Sequence, residues 1–137
     1  MIEVRSVTPN VAFAGQVKPE DVPALKAAGY KAIVVNRPDG EEAGQPGHDQ
    51  LEAAAEAAGM SFAYIPIGAD GYEEDKVVEF RDVVTNFDKP VLAFCKTGNR
   101  SAHLWALAAR DRLSRDEVVR MATTAGYDVS DLGERLD

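Results

Sequence analysis

The sequence predicts an α/β domain with a central, mostly parallel sheet of four to five strands and helices on both faces. Short apolar runs alternate along the chain with longer segments whose apolar residues recur at helical spacing. Continuous apolar runs are typical of parallel strands buried on both sides, and strands that alternate with helices favour a parallel sheet. Because the chain has 137 residues and no internal repeat, we expect a single domain over 1–137.

The first part of the chain begins this alternation. A short apolar segment at 11–15 precedes a predicted helix over 18–29, which ends at a glycine. The run KAIVVN, at 31–36, has the β-branched character of a buried parallel strand. The segment RPDGEEAGQPG follows it, and its glycine, proline and acidic residues predict a loop.

Capping boxes predict where two central helices begin, since an N-cap side chain and an acid three residues later satisfy free backbone N–H groups. Asp49 and Glu52 form such a pair ahead of LEAAAEAAG, and the strand SFAYIPI follows at 61–67. Asp70 and Glu73 form a second pair. The helix after them has one apolar face, formed by Val77, Phe80, Val84 and Phe87.

The last part of the chain continues in the same order. PVLAF, at 90–94, is a predicted strand, and 101–113 is a predicted helix. Ser114 and Glu117 form a capping box for a further helix, and 128–137 predicts a short final one.

Composition excludes several classes of function. The net charge of −8 and the absence of a basic cluster argue against nucleic-acid binding. No apolar window is long enough for a membrane span and no leader pattern begins the chain, so we expect a cytoplasmic protein without membrane contact. One cysteine allows neither an internal disulfide nor a CxxC metal site, and no cofactor or metal is expected.

That single cysteine, Cys95, lies where the last predicted strand meets the next helix, in the stretch FCKTGNRSAH. Ligands of parallel sheets bind at the carboxyl ends of strands, and a loop leading into a helix N-terminus presents backbone N–H groups to an anion. Here Arg100 adds a fixed positive charge that favours the nucleophilic thiolate. We therefore expect an anion-binding loop beside Cys95, formed by Lys96, Thr97, Gly98, Asn99, Arg100 and Ser101.

The individual residues of this loop have expected tasks. Gly98 allows a backbone conformation that a side chain would hinder, and Ser101 is expected to cap the helix or to donate a hydrogen bond to the sulfur. A lone cysteine is more often a buried structural residue than a nucleophile. The combination of a thiol, a glycine turn, a fixed cation and a serine favours the nucleophile in this chain.

The loop also resembles known active sites. FCKTGNRSAHLWALA resembles the Cys-x4-Arg loop of single-domain rhodaneses and the Cys-x5-Arg-Ser/Thr loop of tyrosine and dual-specificity phosphatases, shortened by one residue. Over residues 5–110, the order of NRPDGEEAGQPG, the alanine-rich helix, YIPI and VLAFCKTGNRSAHLWAL resembles the bacterial beta-lactamase-hydrolase-like family, phosphatase-like domain. This resemblance implies a dual-specificity-phosphatase-like fold and either sulfurtransferase or phosphatase activity.

Of the two activities, the sequence favours a sulfurtransferase that forms a persulfide on Cys95. The loop has the rhodanese length, and Phe94 stands where phosphatases of this resemblance usually have histidine. Sulfur transfer also needs no separate general acid. The expected substrates are a small anionic or sulfane-sulfur donor and a thiol acceptor.

A phosphatase is the alternative, and it requires more residues. It would use a cysteinyl-phosphate on Cys95, Arg100 to bind the phosphoryl oxygens, and an acid to protonate the leaving oxygen. Asp70 is the best-placed acid, although its capping box with Glu73 predicts a structural role more strongly. A third reading is a non-catalytic regulatory module that uses the loop only to bind an anion.

Two further side chains have open roles. Arg37 follows another strand end, where it either adds positive charge beside the loop or lies exposed among the acids of its own loop. His103, on the helix after the loop, is expected to pack or face solvent more than to act in the site. The sequence leaves the oligomeric state open.

Overall fold

The computed structural model describes residues 2–137, which form one five-stranded sheet covered by helices. The strand order is β1-β2-β5-β3-β4, and β1 alone runs antiparallel to its neighbour, so the predicted mostly parallel sheet is confirmed. The strands are β1 (Val4–Thr8), β2 (Val11–Ala14), β3 (Ala32–Val35), β4 (Ser61–Tyr64) and β5 (Val91–Phe94).

Five α-helices and two short 3₁₀ segments connect and follow the strands. The 3₁₀ segments span Pro19–Asp21 and Ser130–Leu136. The helices are α1 (Val22–Ala27), α2 (His48–Ala57), α3 (Glu74–Asn86), α4 (Asn99–Ala109) and α5 (Arg115–Thr124). None of the helices within residues 2–137 has the length and apolar character needed to cross a membrane.

The sheet separates two apolar cores, which confirms helices on both faces. Alternate residues of a strand point to opposite faces. In β5, Val91 and Ala93 pack with residues of α3, α4 and α5, whereas Leu92 and Phe94 pack with residues of α1 and α2. Every residue of α4 from 101 to 109 is buried, because α3, α5 and the last 3₁₀ segment surround this helix.

The edge strand β1 was not predicted. Its sequence, VRSVT, has only a short apolar pattern, and most of the strand is exposed or partly exposed. It pairs with β2 through a single antiparallel ladder that contains a register shift. An edge strand with one solvated face needs less apolar character than a buried parallel strand, so its signal in the sequence is weak.

Two of the predicted capping boxes are wrong and one is confirmed. Helix α2 begins at His48 with Gly47 as its N-cap, so Asp49 lies inside the helix, where its side chain accepts only the N–H of Gln50 and forms no capping box with Glu52. Helix α3 has Glu73 as its N-cap, three residues after Asp70, without a side-chain cap. At α5 the reciprocal bonds between Ser114 and Glu117 are both present.

Candidate active site

Cys95 lies at the carboxyl edge of the sheet, directly after β5, as expected. The residue is 1% exposed, and the Gly98 N–H donates a hydrogen bond to its sulfur at 3.1 Å. Helix α4 begins at Asn99, so its N-terminus lies within the same loop. A backbone donor and a helix N-terminus both favour negative charge on the sulfur.

Gly98 makes this loop geometry possible. It is the N-cap of α4 with a φ of +94°, in the left-handed region that favours glycine. A Cβ at this position would overlap the hydroxyl of Tyr127, which covers the turn. Because the turn is complete at Gly98, α4 begins two residues before the predicted start, and Ser101 is within its first turn.

Ser101 therefore does neither of its predicted tasks. Its hydroxyl donates to the Asn36 side-chain oxygen at 2.7 Å, and both residues are fully buried. The Asn36 amide group donates in turn to the Ile65 carbonyl at 2.9 Å. The Asn36 backbone bonds to Phe94 and Ile67. This buried network joins the carboxyl ends of β3 and β5, and the segment that follows β4, to α4 beneath the Cys95 loop.

We expect Ser101→Ala to lower the free energy of unfolding by about 1–3 kcal/mol, because Asn36 would keep a buried oxygen without a donor. Chemical denaturation at equilibrium measures the change. Ser6→Ala, at an exposed position of β1, is the control and should change stability by less than about 0.5 kcal/mol. Equal effects of the two substitutions would show that the network does not stabilise the loop.

Arg100 points its guanidinium toward the sheet edge and binds a carboxylate there. Its Nη1 and Nη2 atoms donate to the two oxygens of Glu41 at 2.8 and 2.9 Å, and Nη1 also donates to the Ile67 carbonyl at 2.9 Å. The pKa of Arg100 is raised, chiefly by the hydrogen bond with Glu41 and also by the negative charge of Cys95. The guanidinium thus lies near the sulfur and binds both oxygens of a carboxylate.

Arg37 belongs to the same group of charges. It is 4% exposed, so the reading of an exposed arginine in an acidic loop is wrong. Its guanidinium donates to Glu41, Glu42 and Gln16 at 2.9, 2.9 and 2.8 Å. Glu41 therefore bridges Arg37 and Arg100. The hydrogen bond from Arg100 lowers the pKa of Glu41 to about 2, with a further contribution from Arg37, so Glu41 is ionised at neutral pH.

The remaining loop side chains face outward. Lys96, Thr97 and Asn99 are exposed, and the Thr97 hydroxyl oxygen accepts the backbone N–H of Asn99 at 3.3 Å. The Lys96 ammonium pairs with Glu42 at 2.7 Å, while its carbonyl accepts the backbone N–H of Gln16 at 3.3 Å. Lys96 thus joins the charge group of Arg37 and Glu42.

Asp70 lies in an exposed turn between β4 and α3, and no capping bond occupies it. The two ends of its segment meet the Cys95 loop. Ile67 accepts a hydrogen bond from Arg100, and burial together with the charge of Cys95 raises the pKa of Tyr72 to about 12. The turn that carries Asp70 is therefore bounded by two residues that contact α4, with its carboxyl group in solvent.

His103 has a structural place beside this segment. It is 3% exposed and stacks on Tyr72 with ring centroids 5.6 Å apart. One ring nitrogen bonds to the Asn99 carbonyl at 2.8 Å and the other to Asp131 at 2.7 Å. As expected, it packs, and its contacts link α4 to the last 3₁₀ segment.

Sequence reasoning missed several residues of the site. Five residues from distant parts of the chain contact or flank the loop: Asn36, Glu41, Glu42, Tyr72 and Tyr127. One signal was available for two of them: the adjacent acids follow a strand whose carboxyl end lies at the same sheet edge as Cys95. The two tyrosines carry no comparable signal.

Comparisons with known proteins bear on this site. The family model "Beta-lactamase hydrolase-like protein, phosphatase-like domain" matches residues 3–111. Two curated relatives are also similar to this chain. The beta-lactamase hydrolase-like protein of Agrobacterium fabrum is 37% identical over 90% of this chain, and that of Xylella fastidiosa (strain Temecula1) is 31% identical over 93% of it. The chain spans only 29% and 30% of the length of those two relatives.

A solved structure agrees with the family match. The crystal structure of a candidate phosphatase from Neisseria meningitidis is 32% identical, with a TM-score of 0.83, and the match covers 97% of this chain and 95% of that one. The fold is therefore that of the tyrosine and dual-specificity phosphatases, as the resemblance implied. From the family model and the curated relatives together, this chain belongs to the family of the phosphatase-like domain of beta-lactamase hydrolase-like proteins.

Proposed function

We propose that this domain is a cysteine-dependent phosphatase that hydrolyses phosphoric esters. The sequence favoured a sulfurtransferase and placed the phosphatase second, but the family and its solved relative support the phosphatase, and neither of them supports sulfur transfer. The observation that carries the proposal is that Arg100, on the loop of Cys95, binds both oxygens of an anionic group, the Glu41 carboxylate.

The proposed reaction has two steps. In the first, the Cys95 thiolate attacks phosphorus, so that an S–P bond forms as the ester P–O bond breaks. In the second, water attacks phosphorus, the S–P bond breaks, and inorganic phosphate leaves as the thiolate is restored. Arg100 and the backbone N–H groups of the loop stabilise the charge on the transferring group, because they are already oriented before the reaction.

Asp70 is the proposed general acid for the first step. The leaving oxygen needs a proton as the P–O bond breaks, and Asp70 lies on the exposed turn that follows Ile67, whose carbonyl binds Arg100. Glu41 is poorly suited to this role, since its pKa of about 2 keeps it ionised and both of its oxygens are bound by arginine. Within residues 2–137, Asp70 has no such arginine partner, and its side chain is exposed.

A direct test compares the two chemistries on one protein. Release of phosphate from an aryl phosphate and formation of a sulfur adduct on the protein after thiosulfate treatment are measured side by side. We expect phosphate release from wild type and no adduct. A sulfur adduct on Cys95 without any phosphate release would overturn the proposal and restore the sulfurtransferase.

We expect Asp70→Asn to reduce hydrolysis of alkyl phosphates by about a hundredfold. The rate of hydrolysis of aryl phosphates with acidic leaving groups should fall much less, because their leaving oxygen is stable without a proton. Steady-state kcat measured over a series of leaving groups tests this. Asp75→Asn, on the exposed first turn of α3, is the matched control and should keep wild-type activity. A uniform loss across the series would rule out Asp70 as the acid.

A further inference from the structure

The carboxylates of Glu41 and Glu42 occupy two neighbouring anion positions beside the Cys95 loop. Glu41 binds Arg100 through both oxygens, which is the arrangement that a guanidinium also forms with a phosphate. One oxygen of Glu42 binds both Arg37 and Lys96, at 2.9 and 2.7 Å. Each acid therefore marks a place where an oxyanion is held by two cations, since Glu41 also bonds to Arg37.

The two positions are close together, because both carboxylates contact the single guanidinium of Arg37. A ligand that filled both would need two anionic groups that are directly linked or separated by one or two atoms. Groups further apart could not contact the same guanidinium at once.

The two arginines belong to the body of the domain, whereas the acids and Lys96 lie toward solvent. The side chains of Arg37 and Arg100 are 5% and 24% exposed, while those of Glu41 and Glu42 are 30% and 52% exposed. The acids come from the loop between β3 and α2, which contains Gly40 and Gly44 at positive φ. Three cations therefore lie close together beside the Cys95 loop in a protein of net charge −8.

A cavity of about 350 Å³ opens on the second position. Arg37, Lys96, Gln16 and Lys18 line it on one side, and the acidic loop closes it on the other. Its volume is at the lower end of the range for small-molecule sites. Lys18 brings a further positive charge to the same space.

We propose that the substrate of this domain carries two adjacent oxyanion groups. The reacting phosphoryl group would bind at Arg100 beside Cys95, and a second phosphate or carboxylate would bind between Arg37 and Lys96. Binding displaces Glu41 and Glu42 from these cations. This substrate class rests on the proposed phosphatase function, and the two can be tested separately.

The physical reason for two groups is competition with the acids. A ligand with one anionic group has to replace the bound Glu41, so it gains one set of charge-assisted hydrogen bonds by losing another of the same kind. A ligand with two groups replaces both acids with a single molecule and pays the entropy of association only once. The second group therefore adds its bonds to Arg37 and Lys96 without a further loss of association entropy.

Calorimetric titration of the full chain carrying Cys95→Ser tests this, because binding is then read without turnover. The probes are methylphosphonate, phosphonoacetate and methylenediphosphonate. We expect at least one of the two-group probes to bind roughly tenfold or more tightly than methylphosphonate. A gain for the diphosphonate alone assigns the second group as phosphate, and a gain for both admits a carboxylate. Dissociation constants within about threefold of one another for all three probes would overturn the proposal.

Two variants locate the second group. The two-group advantage is the ratio of the dissociation constant of methylphosphonate to that of the tightest two-group probe. Lys96→Met should reduce this ratio to about threefold or less, whereas Lys31→Met, at the opposite end of β3, should retain it. An advantage that survives Lys96→Met unchanged would also overturn the proposal. If the advantage holds but wild type hydrolyses no phosphate ester, the two-group site stands and the proposed phosphatase function fails.

Discussion

Replacing Cys95 with serine should lower phosphate-ester hydrolysis roughly a thousandfold or more while leaving the fold intact. The Cys95 sulfur forms the covalent intermediate of the proposed reaction, and a thiolate is a far stronger nucleophile than a serine hydroxyl. Phosphate release under steady-state conditions gives the measurement.

Serine fits the position, which makes the comparison clean. It is slightly smaller than cysteine, and its oxygen can still accept the hydrogen bond that the Gly98 N–H gives to sulfur. Circular dichroism and thermal unfolding should therefore match wild type closely. A folded Cys95→Ser protein that keeps most of its hydrolysis would show that the thiol is structural and that the catalytic group lies elsewhere.

Arg100→Lys should lower kcat/KM by at least tenfold, and on the order of a hundredfold, since a positioned donor at a transition state is often worth that much. Lysine keeps the positive charge but loses the planar fork whose two nitrogens now hold both oxygens of Glu41. It also loses the bond to the Ile67 carbonyl, which orients the side chain. We expect the loss mostly in kcat, because the planar fork can hold two equatorial oxygens of the transferring phosphoryl group in the geometry of the transition state.

Arg110→Lys is a matched control for this substitution. Arg110 lies at the opposite end of α4, has a side-chain exposure of 21% against 24% for Arg100, and binds both oxygens of Glu74. The two changes remove similar arginine–carboxylate contacts from the same helix. Equal activity losses in both variants would mean that Arg100 acts through stability and not through the bound anion.

The parts of the fold that could be predicted are those with a local signal. The runs that became β3 and β5 are continuous and apolar because both strands are buried on both faces. Ser114 and Glu117 cap α5 through bonds between residues three positions apart. Local patterns of this kind do not depend on the rest of the chain, so they can be recognised in the sequence.

The capping box at Asp70 shows where a local pattern fails. The same spacing of an Asx residue and a glutamate predicted a helix start, but α3 begins only at Glu74. Gly71, between them, adopts a φ of +70° and its N–H bonds to the Gly68 carbonyl, which forms a separate turn. The turn leaves the Asp70 side chain in solvent at the rim of the site.

The charge group around Arg100 could not be predicted, because its contacts are long-range. Arg100 and Glu41 are 59 positions apart, and Ser101 and Asn36 are 65 apart. The sheet brings them together by placing β3 next to β5 in the same direction. A pattern within one segment contains no information on such pairs. Topology was needed to show that the acids after β3 would meet the arginine after β5.

Local sequence patterns also could not decide between sulfur transfer and phosphoryl transfer. Both reactions use a thiolate on a loop of backbone N–H groups with an arginine, so the residues of 95–101 are consistent with either. Loop length and Phe94 favoured sulfur transfer. Phe94, however, is wholly buried in the core beside α1 and α2, where it belongs to packing and not to the anion site.

The central claim is that Cys95 accepts a phosphoryl group, and the most direct measurement is the mass of the quenched enzyme. Wild-type protein is mixed with an aryl phosphate, quenched in acid during turnover and digested, and the peptide that contains Cys95 is weighed. We predict a mass increase of one phosphoryl group on that peptide, absent from Cys95→Ser. Rapid phosphate release without any phosphorylated Cys95 peptide, at quench times that span the first turnover, would contradict the account.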